Sequence, residues 1–513
     1  MWLLVDDSHQ QTSFHSSVLA LSDMSMYQCR FFPRTCRPLN QRLLVSRYAS
    51  SLTFWCGNVV YDDGQVTHGS VVVSKGKITE LYPGESYRDA KFRAGDTLHD
   101  LSESFCLMPG LTDVHTHISG LREFEGYSSA TKAAAAGGIT TLMGMPLNSL
   151  PPTVNLDALY MEQEAVKEAD MFVDVGLWGG VIPESLHDLP ALLKSDYIFG
   201  IKAFLAPLPP SAGYAAVTPT QLHEIAKQCG VRNLPILAHS ELMTTEQQDE
   251  QTALAYAEGP TESYETHVKS RPPVWEQDAV QIVCDIVMDE LCDMHIVHLS
   301  DAGCLDMIRK TKQSKGEKRL TVETCPHYLL FAMEDLPNGN TLYKCFPPIR
   351  QDQNRRALWQ NGIKTGLIDM VASDHSPCEP HMRQGSLRET WGGLTGLQYQ
   401  LPATWTAARE RGYTVADIYR WWCREPSLFV PSLSQRKGAI KTGSQADLVW
   451  WDPEHSGPPS EYAQEHHRWT GDCVFSDMRL QGRVLGTWVS GAHVYDGWDD
   501  QHLATSGKLM RRS

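Results

Sequence analysis

A protein-held divalent cation needs imidazole nitrogens and carboxylate oxygens gathered at one point. The run Asp113-Val114-His115-Thr116-His117 carries two histidines one residue apart. On a β-strand side chains alternate between faces, so both imidazoles point the same way. Taken alone, such a pair is often incidental. Three more ligand-type residues, His239, His298 and Asp374, stand far along the chain. Lys202 lies among apolar neighbours in Gly200-Ile201-Lys202-Ala203-Phe204-Leu205, where a charged amine is costly to bury. It can snorkel, or join a buried ion pair. Alternatively, burial depresses its pKa and leaves a neutral amine able to capture carbon dioxide. The carbamate so formed is anionic and has two oxygens, enough to bridge two cations.

These residues act together only if the fold gathers them. Strand-like runs at 111–117, 139–145, 172–177, 198–204, 235–239, 295–299, 320–324 and 369–373 alternate with helix-like segments. Thr218-Pro219 opens one such helix with a capping residue and a proline at its first position, and Gly230 closes it. Eightfold strand–helix alternation predicts an α/β fold, a (β/α)8 barrel over 109–437; an open doubly wound sheet is the alternative. In a barrel the loops after the strands build the site. The histidines, Lys202 and Asp374 all fall at or just past the C-terminal ends of their runs, which core histidines have no reason to do.

Shorter strand-like runs broken by turns flank this region, at 52–61, 70–74 and 78–82 and again at 446–452, 484–489 and 492–495. Each set is too short to fold alone, so 51–108 and 438–497 are expected to form one composite β-sandwich. That leaves 498–513 as a tail and 1–50 as an extension expected to be poorly ordered. Between Asp23 and Asp62 there is no acidic residue, while Arg30, Arg34, Arg37, Arg42 and Arg47 occur. Such a segment can address an organelle, but a cytoplasmic location is favoured.

The 513 residues are 42% hydrophobic and 21% charged, a soluble globular composition. A net charge of −16 argues against a nucleic-acid partner. No apolar run is long enough to suggest a membrane span. The 13 cysteines are scattered without paired spacing and read as reduced thiols.

The order His115-x-His117, Lys202, His239, His298, Asp374 resembles the amidohydrolase superfamily, in its branch with the dihydroorotases, hydantoinases and allantoinases. The resemblance covers about residues 52–497. It implies that His115, His117 and Asp374 bind one metal ion and that His239 and His298 bind a second. Carboxylated Lys202 would bridge the two beside a shared hydroxide. Two zinc ions fit such a histidine-rich set, though the sequence does not exclude other metals. Asp374 would take the proton of the attacking water and return it to the leaving nitrogen.

Dihydroorotases carry an arginine just after the paired histidines. Here Ile118-Ser119-Gly120 follows, and the nearest arginine is Arg122. Several other runs resemble the allantoinases: Gly137-Gly138-Ile139-Thr140-Thr141 with Met145-Pro146-Leu147-Asn148-Ser149, Leu177-Trp178-Gly179-Gly180, Ser270-Arg271-Pro272-Pro273, and Ser373-Asp374-His375-Ser376-Pro377-Cys378 with Trp391-Gly392-Gly393. The implied reaction is hydrolysis of the hydantoin ring of allantoin to allantoate, in purine degradation. A dihydropyrimidinase or hydantoinase is the alternative, and a metal-free scaffold relative is a third reading. Asn148, Ser376 and His327 are candidate substrate contacts, each with a purely structural role as the alternative. Trp178 and Trp391 read as packing residues. By resemblance alone, the chain is expected to be a homo-oligomer, a homotetramer.

Overall fold

The computed structural model describes residues 51–85, 97–101, 104–119, 125–208 and 212–512. The extension expected over 1–50 lies outside them. Five strands open the described chain: β1 (Leu52–Val60), β2 (Val66–Ser74), β3 (Lys77–Pro83), β4 (Thr97–Asp100) and β5 (Cys106–Pro109). Eight strands follow in the barrel: β6 (Leu111–Thr116), β7 (Ile139–Gly144), β8 (Asp174–Gly180), β9 (Ile198–Phe204), β10 (Ile236–His239), β11 (Met294–Ile296), β12 (Leu320–Thr324) and β13 (Met370–Val371). The last four are β14 (Leu448–Gly457), β15 (Leu480–Val489), β16 (Ala492–Asp496) and β17 (Gln501–His502).

Strands β6 to β13 pair in sequence order as one parallel sheet. The ends meet where Thr116 bridges His375 and the His117 N–H donates to the His375 carbonyl at 2.8 Å. A parallel strand covered by helices outside and side chains inside has no solvent face. Every residue of β6, β7, β8, β9 and β10 is accordingly buried. The lower barrel interior is apolar, filled by Val114, Met143, Trp178, Phe199, Leu237, Val297 and Met370, with Phe429, Leu433 and Met510 beneath them. His295, stacked on Phe429 at 4.2 Å, carries a polar link from this layer to Glu323 and the candidate ligands above.

The helix Pro219–Val231 begins as its sequence indicates. Thr218 and Gln221 form a reciprocal capping box, with Pro219 at the first helical position. Gly230 differs from its expected closing role and lies inside the last turn, with Arg232 as the C-cap. A Cβ there would sit 1.9 Å from the Leu291 carbonyl oxygen, so close backbone approach demands this glycine.

The remaining nine strands form a second sheet in the order β17-β16-β15-β14-β5-β1-β2-β3, with β4 also paired to β1. Both chain ends contribute, meeting where β14 runs antiparallel to β5. Three strand spacings separate β1 from β15, about 14 Å in a flat sheet. Yet the Phe54 and Trp488 rings meet edge to face at 5.1 Å. The sheet therefore curls over its own core of Phe54, Val71, Leu107, Trp450 and Trp488, the sandwich-like body expected of the terminal segments.

Candidate metal centre and its cavity

Each candidate ligand sits at or just beyond the C-terminal end of a barrel strand. His115 is the penultimate residue of β6 and His117 follows the strand; Lys202 is in β9, His239 closes β10, His298 follows β11 and Asp374 follows β13. His298 and Asp374 adopt positive φ, 41° and 48°, a conformation that costs energy and recurs at functional sites. His115 Nε2 lies 3.2 Å and His117 Nε2 3.6 Å from the same Asp374 oxygen. These three residues offer ligand atoms within 4.8 Å of one another. His239 Nδ1 faces His298 Nε2 at 2.9 Å. The His115 and His298 rings stack at 5.4 Å and join the two groups.

The surroundings fix which nitrogens keep a lone pair. His115 Nδ1 lies 2.5 Å from Glu323 Oε1 and can only donate to it, leaving Nε2 as the acceptor facing Asp374. His117 Nδ1 donates to the Leu147 carbonyl at 3.2 Å, and its Nε2 is left in the same way. His239 Nε2 donates to Glu241 at 2.9 Å, so its Nδ1 lone pair faces His298. Carboxylate- or carbonyl-oriented imidazoles are the usual form of a metal-binding histidine. Glu323 also accepts from His295 Nε2 at 3.0 Å and from the His298 N–H at 3.0 Å. Glu241 is gripped twice by Arg271, at 2.9 and 2.7 Å.

Lys202 Nζ is buried and has no hydrogen-bond partner among the described residues, and neither does His298 Nδ1. Leaving a buried polar group unpaired costs about 1–3 kcal/mol, more when charged. Burial pulls the Lys202 ammonium down to about 8, against the opposing carboxylates of Asp374 and Glu323. Burial likewise lifts the Asp374 carboxyl well above its usual range, with Lys202 opposing. It holds His117 and His298 well below the ordinary imidazole range and His115 down to about 4. For Glu241, burial would raise the carboxyl, but Arg271 and His239 outweigh it and hold it low. The set thus offers neutral imidazoles and an amine biased toward its neutral form. This donor chemistry fits divalent cations.

A second trio, Glu465, His467 and Cys473, is equally compact but differs in proton placement. The Gln398 N–H donates to His467 Nε2 at 3.2 Å, so the ring proton sits on Nδ1, facing Glu465. That ring has no free lone pair for a cation.

The six candidate ligands line a cavity of about 640 Å³, within the range that encloses small molecules. Asn148 and Ser376 also line it. Asn148 adopts φ 66°, and its backbone N–H is taken by the Tyr214 hydroxyl at 2.8 Å. The Ser376 N–H donates to the Leu394 carbonyl at 2.9 Å, so the backbone amide is not available to a ligand. His327 is fully enclosed, its ring 4.2 Å from that of Tyr328, and it stands outside the cavity lining. Trp178 is a packing residue, wholly buried with its indole N–H on the Val114 carbonyl, whereas Trp391 lines the cavity. Glu241, Glu323 and Tyr256 are not legible as site residues in the sequence, and Arg271 is legible there only as part of the run Ser270-Arg271-Pro272-Pro273. Glu323 carried the same signal as Lys202, an ionisable residue inside an apolar barrel strand. Glu241 carried a weaker one, its place two residues after His239.

The profile of the Amidohydrolase family matches residues 106–494. The chain is 36% identical to the allantoinase of Arabidopsis thaliana, over 88% of this chain and 91% of that one. It is 38% identical to the mitochondrial allantoinase of Aquarana catesbeiana, over 68% of this chain and 69% of that one. Among solved structures, the L-hydantoinase (dihydropyrimidinase) of Arthrobacter aurescens superposes with a TM-score of 0.79 at 23% identity, covering 89% of this chain and 98% of that one. That likeness speaks to the barrel and its companion sheet. With the ligand-type residues gathered at the barrel mouth and the family's profile running through all of them, the chain belongs to the amidohydrolase family.

Proposed function

We propose that this protein is an allantoinase, opening the hydantoin ring of allantoin with water to give allantoate in purine degradation. The observation that carries the chemistry is the buried, unpartnered Lys202 amine among four imidazoles and a carboxylate. The substrate choice is supported by curated relatives named allantoinases at 31–36% identity over most of the chain.

On this reading His115, His117 and Asp374 would hold one cation and His239 and His298 a second, with carboxylated Lys202 as their shared ligand; zinc would suit the donor set. When bound, the pair would lower the pKa of water and polarise a carbonyl. The rest falls to the chain. Glu323 and Glu241 keep the ring protons of His115 and His239 on the outward nitrogens. Asp374 accepts one proton from the attacking water and delivers it to the ring nitrogen as the C–N bond breaks. Asn148 and Ser376 offer hydrogen bonds to the ring, and His327 supports the site from behind the cavity wall.

The test is a substrate panel with metal-loaded protein. Allantoin should be consumed faster than hydantoin, dihydrouracil or dihydroorotate. Faster turnover of hydantoin or dihydrouracil identifies a hydantoinase instead. Metal analysis should find two zinc ions per chain, and labelled bicarbonate should give a carbamate carbon signal that Lys202→Ala lacks.

We further place the chain in the cytoplasm as a homotetramer. The eleven cysteines among the described residues are all buried and unpaired, which supports a reducing compartment. No described helix is long and apolar enough to cross a membrane. Mitochondrial fractionation of the native protein, or a dimer by light scattering, would overturn these two statements.

A further inference from the structure

The cavity is much larger than a five-membered ring requires, and its outer wall has a polarity of its own. Helix Thr245–Glu258 presents Gln248, Thr252 and Tyr256 to it. Positions i, i+4 and i+8 share one helix face. The Tyr256 hydroxyl is enclosed yet has no hydrogen-bond partner among the described residues, a state that costs energy unless a ligand or water relieves it. Gln248 spends only its carbonyl oxygen, accepting from Arg271 Nη1 at 3.1 Å. Its amide N–H groups remain as donors.

The cations beside this wall are mostly spent. Arg271 is neutralised by Glu241 through two hydrogen bonds. Lys344 donates to the carbonyls of Thr390 and Arg388. Arg388 stands exposed at the rim, 5.7 Å over the Tyr256 ring, where solvent weakens its pull on an anion. Little remains to hold a carboxylate, and the carboxylates of Asp249 and Glu389 also line the cavity, whereas the Tyr256 hydroxyl and the Gln248 amide N–H groups are open to bonding. Such a wall suits a neutral group rich in both donors and acceptors.

We propose that Tyr256, with Gln248 and Thr252 on the same helix face, forms the subsite for a neutral ureido substituent on the substrate ring and selects ureido-bearing rings over bare ones. The proposal rests on the hydantoin-ring reading above and adds which residues read the side group.

The test is a cycle of two enzymes, wild type and Tyr256→Phe, and two substrates, allantoin and 5-methylhydantoin. The methyl group occupies ring position 5 without hydrogen bonding. Wild type should favour allantoin, and Tyr256→Phe should shrink that kcat/KM ratio about 5- to 10-fold, the loss of one hydrogen bond. The change should fall mainly on KM for allantoin. Gln248→Met should shrink the ratio in the same direction, covering the case in which Tyr256→Phe folds poorly. An unchanged ratio in both variants, with wild type preferring allantoin, sinks the subsite alone. A wild type that prefers 5-methylhydantoin or hydantoin sinks the allantoinase reading and the subsite with it.

Discussion

At the scale of single residues, the site is defined by where protons are held. Lys202 is the clearest case. A buried amine without a partner lowers stability, yet it stands in the barrel among five ligand-type residues. Lys202→Met keeps similar bulk without the polar head. The metal-free variant should be at least as stable as metal-free wild type, because an unpaired buried group is gone. Its hydrolytic activity should nevertheless fall by about 10³-fold or more, as the bridge is lost. Thermal unfolding in a chelator and turnover after zinc reloading read the two effects separately; a variant that keeps activity would remove Lys202 from the site. Glu241 acts one step back. Through its contact with His239 Nε2 it keeps the Nδ1 lone pair aimed at His298. Glu241→Gln can still receive the histidine proton but no longer balances Arg271, so the ring should be held less firmly. A zinc titration should show one of the two binding steps weakened about 10- to 100-fold, the other little changed. Equal weakening of both steps would mean the carboxylate supports the whole barrel mouth and not one ligand.

Strands and helices decide which of these residues could be found without coordinates. The barrel strands are rich in aliphatic residues because both their faces are buried, and that composition is visible in a linear chain. Runs such as Ile198–Phe204 and Leu320–Thr324 therefore coincide with the strands that form. His115 and His117 were legible because alternation on a strand is a local rule. Glu323 belongs to a similar strand but makes sense only once His115, His295 and the His298 N–H are seen converging on it from other strands. Tyr256 was harder still, since its helix is mostly polar and a cavity-facing side of such a helix has no local signature. The segment between β14 and β15 shows the same limit. Asp500 gathers the Gln464 N–H, His466 and the Tyr495 hydroxyl at 2.8–2.9 Å. Burial would raise this carboxyl, but the hydrogen bonds prevail and lower it from 3.8 to about 2. For a carboxyl depressed on folding, the added stability is complete above its unfolded value and is lost as pH falls through the folded one. Asp500→Asn should therefore be less stable than wild type by about 1–3 kcal/mol at neutral pH. The gap should close as pH drops from about 4 toward about 2. Limited proteolysis and unfolding across that range test it; a gap independent of pH would assign the effect to packing.

Across the whole molecule, the two ends of the barrel do different work. Ligand-type side chains and the cavity occupy one end, and the other is closed by apolar side chains together with a buried ion cluster of Lys437, Asp174 and Asp447. The seal is completed from an unexpected place, the last residues of the described chain. The Gly507 N–H bonds to the Met171 carbonyl, Val175 exchanges hydrogen bonds with Lys508 and Met510, and the Arg512 N–H reaches the Asp196 carbonyl. This carries Met510, 3% exposed, beneath Met143, Trp178 and Phe199. Gly507 makes the approach possible, because a Cβ there would lie 2.1 Å from the Val173 carbonyl oxygen. Met510→Ala removes a buried apolar side chain from a region already walled by backbone pairing, so the cavity left behind can collapse only in part. The cost should be about 2–4 kcal/mol. Because the seal lies at the opposite end from the cavity, kcat and KM at moderate temperature should stay within about twofold of wild type, while the temperature of half-inactivation falls. Deleting 507–513 should cost more than the point change, since it also exposes the paired edge of β8. Denaturant unfolding and steady-state kinetics on both variants decide the matter. A loss of kcat at unchanged stability would mean that the seal positions the catalytic end and does not merely close the barrel.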